Sequence, residues 1–199
     1  PVLGCTSAGS FGPQAYGQHA LSGVSFARSA VTVATGFVQG LQGFDSVQAQ
    51  ALVAPLLQSL EREAPQANPA NCFAFEVIDG MSGREEVFIR ELQGALGQIP
   101  LVGGSAGDDM KFRRTWVFGN GAFHDDAAAL VLIHTQLPFH LFMTQHFVPM
   151  EERLVVTEAD AQRRIVTELN GLPAAVEYAR CIGVDPAALD STLFADWPV

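Results

Sequence analysis

The sequence predicts an α/β fold: a layered α/β sandwich on a mixed, largely antiparallel sheet. Strand-like and helix-like segments alternate through the first half of the chain, the pattern of helices packed on a sheet. Further strand-like segments then follow one another without helices between them, so the sheet is not purely parallel. One of these, AAALVLIHT at 127–135, is almost wholly apolar, which implies that both its faces are covered. Hydrophobic residues make up 48% of the 199-residue chain and charged residues 16%, enough for a core that needs neither disulfide nor metal.

The elements follow in chain order. PVLGCTSAG (1–9) reads as a short strand entering a glycine turn, and 12–23 as a loop of Gly, Pro and Gln. The β-branched AVTVATGFV (30–38) is a strand. Residues 46–64 are helical in composition, with Pro55 kinking the helix or delaying its start. CFAFEVI (72–78) is an apolar strand, turned by Asp79-Gly80. Ser82 and Glu85 have capping-box spacing, and Phe88, Ile89, Leu92, Ala95 and Leu96 form one buried stripe of the helix they open. Gly97 closes that helix. A short strand at 99–102 leads into a glycine-rich loop at 103–109, and strands follow at 115–118 and 127–135. Residues 139–148 are expected to pair as a further strand. Two helices close the pattern: one capped by Thr157 with Asp160 in its first turn, one with Pro173 at its start and Gly183 past its end.

Charge and cysteine content narrow the function. The net charge is −10, from 21 acids against 11 bases, and Lys111 is the one lysine. No basic stripe exists, so nucleic acid and anionic membrane surfaces are poor partners. No run of apolar residues is long enough to span a bilayer. The three cysteines, Cys5, Cys72 and Cys181, are widely spaced and odd in number. They read as free thiols of a reducing, cytoplasmic compartment.

Four motifs stand in order: PVLGCTSAG at the start, DGMSGREEVFIREL (79–92), PLVGGSAGDD (100–109) and VTEADAQRRIVTELNGLPAAVEYARCIG (156–183). Together they resemble the FIST domain, a sensory domain of signalling proteins. The resemblance runs from residue 1 to about 183, with 184–199 as a linker or the start of a further region. It implies a small-ligand-binding, non-enzymatic sensor upstream of a signalling kinase or cyclase, such as a histidine kinase or a cyclic-di-nucleotide enzyme. Amino acids are among the ligands it implies, and one bacterial branch implies haem and nitric oxide. It also leads us to expect an opening strand and helix that this sequence lacks.

Several residues could carry chemistry. Gly103, Gly104, Ser105, Ala106, Gly107 and Asp108 can curve the backbone so that N–H groups face an anion, or can simply make a tight turn. No P-loop lysine follows them, and no GxGxxG is present. Cys5, Thr6 and Ser7 form a second run of this kind. Cys5 as the nucleophile of a thiol-dependent enzyme is the alternative, although no base accompanies it in sequence. Asp79 either contacts a ligand or shapes its turn, while Glu85 and Glu86 are explained by a helix start. Haem would bind non-covalently, because CxxCH is absent. His140 or His146 is the expected axial ligand, with His124 behind them, since the first two lie among the most apolar residues. The ligand is expected in a cleft between the runs 5–9 and 103–108, with the segment 139–147 nearby.

Overall fold

The computed structural model describes residues 1–12, 15–17, 20–109, 111–144 and 147–198. It divides into two compact units, Pro1–Leu141 and Phe142–Val199.

The first unit opens with β1 (Gly4–Cys5) and a small hairpin, β2 (Ser10–Phe11) with β3 (Tyr16–Gly17). The edge strand β4 (Val31–Gln39) leads to α1 (Ser46–Glu63). Asp45 starts α1 by accepting the N–H groups of Val47 and Gln48 at 3.0 and 2.9 Å. Pro55 lies inside α1 without delaying its start, because packing of Ala49, Val53, Leu56 and Leu60 holds the helix through it. Next come β5 (Cys72–Ile78), α2 (Glu85–Leu96) and β6 (Leu101–Ser105). Then β7 (Val117–Gly119), β8 (Ala122–His124) and β9 (Ala127–Thr135) complete the unit.

The main sheet has the order β4-β9-β5-β6; only the β5–β6 pair is parallel. Both helices cover one face. There Phe88, Leu92 and Leu96 of α2 and the buried stripe of α1 meet Ala34, Ala74, Ile78, Leu130 and Leu132. A second sheet, β1-β7-β8, covers the other face, where Val117 joins Val77, Ala127 and Ala129 beside Leu3 and Phe37. Helices, mixed sheet and small antiparallel sheet are the layered α/β sandwich that the alternation implied. β9 is buried along almost its whole length, as its apolar run requires.

Four local expectations change in the first unit and the segment that follows it. The stripe of α2 excludes Ile89, which is 42% exposed one step round the helix from Phe88. The capping box does not form: α2 begins after Arg84, and Ser82 Oγ instead accepts the Arg84 N–H at 3.2 Å. Gly103, Gly104 and Ser105 are not loop; they extend β6, pairing with Glu76, Val77 and Ile78. No strand forms at 139–148 among the described residues. The physical reason is that β4 and β5 already occupy both edges of β9.

The second unit holds β10 (Val156–Asp160), β11 (Ile165–Leu169), β12 (Leu172–Pro173), α3 (Ala174–Ile182) and α4 (Ser191–Asp196). The helix expected after Thr157 is a β-hairpin. Asp160 accepts the N–H groups of Gln162 and Arg163, both at 3.0 Å, and Arg164 takes φ +55° to close the turn. Thr157 Oγ1 accepts from Gly171 N–H at 3.0 Å, a cross-strand rather than a capping role. Gly183 ends α3 at φ +74°, as expected. Among the described residues, no helix is long and apolar enough to cross a membrane.

Candidate functional site

The two small-residue runs meet. Gly107 N–H donates to the Thr6 carbonyl at 3.0 Å, and Ala106 N–H donates to the Ile78 carbonyl at 2.8 Å. Thr6 is held in turn by Trp116: its N–H donates to the Trp116 carbonyl at 2.9 Å, and its Oγ1 accepts the Trp116 N–H at 3.0 Å. The approach is close enough to demand glycine, since a Cβ at position 107 would stand 2.8 Å from the Ala8 nitrogen. The N–H groups of Ser7, Ala8 and Gly9 have no hydrogen-bond partner among the described residues. This junction lies past the carboxyl ends of the parallel strands β5 and β6, where open α/β sheets bind their ligands. Thr6, Ser7 and Ala8 meet Gly107 there, with Cys5 next to Thr6 on the one run, and Ser105, Ala106 and Asp108 beside Gly107 on the other, after the exposed Gly103 and Gly104.

Two acids near the junction are taken up by the protein itself. Asp79 is 4% exposed and accepts the Thr115 hydroxyl, the Met81 N–H at 3.0 Å and the Asp126 N–H at 2.6 Å. It ties the turn after β5 to the chain entering β9. Asp108 accepts the N–H groups of Phe112, Arg113 and Arg114 at 2.8, 2.6 and 3.0 Å. These bonds, that of Arg113 foremost, hold its carboxyl below the usual range.

A third acid has no such partners among the described residues. Glu76 stands in the middle of β5, in one row with Leu130 and Gly103, and is 2% exposed. Its Oε2 is buried without a hydrogen-bond partner among the described residues. Oε1 fills the space left by the missing side chain of Gly103, where a Cβ would come within 2.5 Å of it. Burial first, and the charge of Glu85 second, push its carboxyl up to about 7. The sequence reading passed over this residue. The available signal was an acid inside CFAFEVI, where every neighbour is apolar.

The model of the FIST N domain family matches residues 1–172. The chain belongs to the FIST N domain family. FIST domains are sensory signal-transduction domains. No curated protein and no solved structure matches the chain.

Within this FIST domain the thiols and imidazoles are placed as follows. Cys5 pairs with Val117 at the edge of the small sheet. Its thiol is pushed up, first by desolvation and then by the charge of Glu76, the opposite of what activates a nucleophile. Burial likewise raises Cys72. His124 packs against Phe37 at 4.9 Å, and its Nε2 is buried without a partner among the described residues. An axial haem ligand needs open space beyond its coordinating nitrogen, which the Nε2 side of this ring does not have. His140 is exposed on chain without regular structure, and His146 lies outside the described residues. Among the described residues, no three of His, Cys, Asp and Glu cluster as a metal site.

Proposed function

We propose that this FIST domain senses a small carboxylate-bearing molecule, amino acids included. The ligand would sit at the junction of residues 5–9 with 103–108 and bias a partner histidine kinase or cyclic-di-nucleotide enzyme. The observation that carries the reading is the contact between two glycine-rich runs far apart in the chain, with three consecutive N–H groups unpaired among the described residues beside it. Main-chain N–H groups presented together form a concave site for an anion. Calorimetry of the chain against a panel of small carboxylates tests this. At least one member should bind, and Gly107→Val, which forces the Ala8 backbone away, should weaken it by at least about tenfold. A variant that melts like wild type and binds unchanged would place the ligand elsewhere.

A haem-borne, nitric-oxide-sensing version is a separate proposal and would fall to His140 or His146. The absorption spectrum after haem addition decides it: a Soret band that moves with nitric oxide supports it, and a spectrum of free haem removes it. The thiol-enzyme alternative calls for Cys5 to alkylate faster than Cys72 and Cys181. The raised Cys5 thiol favours slow labelling instead.

A further inference from the structure

Buried acids in this chain normally find donors. Asp79 takes three from the protein, and Glu177, 2% exposed, accepts the Asn170 amide at 2.9 Å and two hydrogen bonds from the Arg180 guanidinium at 2.7 and 2.6 Å. Glu76 departs from this pattern: it is as buried as Glu177, yet its Oε2 accepts nothing among the described residues. Leaving a carboxyl in that condition is costly, and the fold gains no packing from it that Gln or Leu would not supply.

Its neighbours cannot relieve it. In its own row β9 presents Leu130 and β6 presents Gly103. From α2 the charge of Glu85 pushes its carboxyl up further, and Glu76 in turn pushes up the Cys5 thiol of β1. Two observations tie it to the junction. Its Oε1 lies where a side chain of Gly103 would be, and Gly103 is exposed, so Gly103 puts no side chain of its own over the carboxyl. It also acts electrostatically on Cys5, the first residue of the other run.

We propose that Glu76 is a specificity-determining residue of the junction, selecting a ligand with an amine whose N–H donors reach its carboxyl past Gly103. This rests on the reading of the junction as a carboxylate site and adds the second half of the ligand. The carboxylate lies on the N–H groups of Ser7, Ala8 and Gly9, and the amine faces Glu76. An ammonium there supplies the donor that Oε2 lacks among the described residues. A ligand with a carboxylate and no ammonium brings Glu76 no N–H donor, and its charge adds to that of the ionised carboxyl. Because Glu76 ionises near 7, a bound cation also draws its proton off, so binding at neutral pH releases a proton.

The test is calorimetry of the full chain against primary amino acids, each matched with the 2-hydroxy acid of the same side chain, which keeps the carboxylate and lacks the ammonium. An amino acid should bind at least about tenfold more tightly than its hydroxy counterpart. Its heat should depend on the ionisation enthalpy of the buffer, as proton release requires. Glu76→Gln keeps the shape and should erase both the preference and the buffer dependence, with melting confirming the fold. Equal affinity within a pair in wild type overturns the proposal without recourse to any variant. So does a preference that survives in Glu76→Gln. Hydroxy acids that bind as well as amino acids, and are lost in Gly107→Val, would sink the amine and keep the carboxylate site. Silence across every pair would sink both.

Discussion

Glu76 makes the fold sensitive to pH in an unusual direction. In the unfolded chain its carboxyl ionises near 4.5, and in the fold near 7. The folded state therefore holds the proton more tightly. Its contribution to stability is complete below about 4.5 and is lost as pH rises through about 7. A displacement of this size corresponds to ~3 kcal/mol over the whole window. Glu76→Gln should consequently gain on wild type by roughly that amount between pH 4.5 and pH 8, read from urea midpoints at several pH values. Parallel curves for the two proteins would show that the carboxyl is relieved in some other way. Asp79 is the contrasting residue. The sequence offers it as a ligand contact or a turn former, and in the fold its three donors come from Met81, Thr115 and Asp126. Two of those partners are 36 and 47 residues away, so no local pattern could reveal them.

At the scale of elements, the second unit is held by a clamp. The Arg180 guanidinium of α3 first, and the Asn170 amide second, keep the Glu177 carboxyl down at about 2. A depressed acid contributes stability that is present above its unfolded value and is lost as pH falls toward about 2. Acid titration followed by amide NMR should therefore show α3 and the β11–β12 turn loosening together at the low end. Glu177→Gln should loosen them already at neutral pH, because a neutral amide cannot match the Arg180 fork. A spectrum of that variant unchanged in this region would remove the clamp from the account. The same stretch shows where periodicity misled. VTEAD has the start signals of a helix, Thr157 followed by Asp160. Its Ala159 and Asp160 pair with the β-branched Val166 and Ile165 across a turn that Asp160 shapes. Capping chemistry and turn chemistry use the same residue types, and only the partner strand separates them.

At the scale of the molecule, the chain changes unit between Leu141 and Phe142. The described residues of 136–155 form neither helix nor strand, and Phe142 and Met143 are 74% and 85% exposed. Limited chymotrypsin should cut first in this stretch, giving a fragment ending near Leu141 that mass spectrometry identifies. First cleavage inside 31–135 would contradict the division.

What the sequence by itself determined follows from short-range physics. The apolar strands at 72–78 and 127–135, the amphipathic helix closed by Gly97 and the layered α/β class are set by side-chain spacing within each segment. The order of four small-residue motifs was sufficient to indicate the FIST family. Tertiary structure decided the rest. It seats β9 between β4 and β5, which denies a partner to residues 139–148. It brings Gly107 onto Thr6, and it leaves Glu76 Oε2 without a donor among the described residues. These outcomes depend on which distant groups fill each edge, lone pair and gap, and a carboxylate looks the same in sequence whether three donors or none await it.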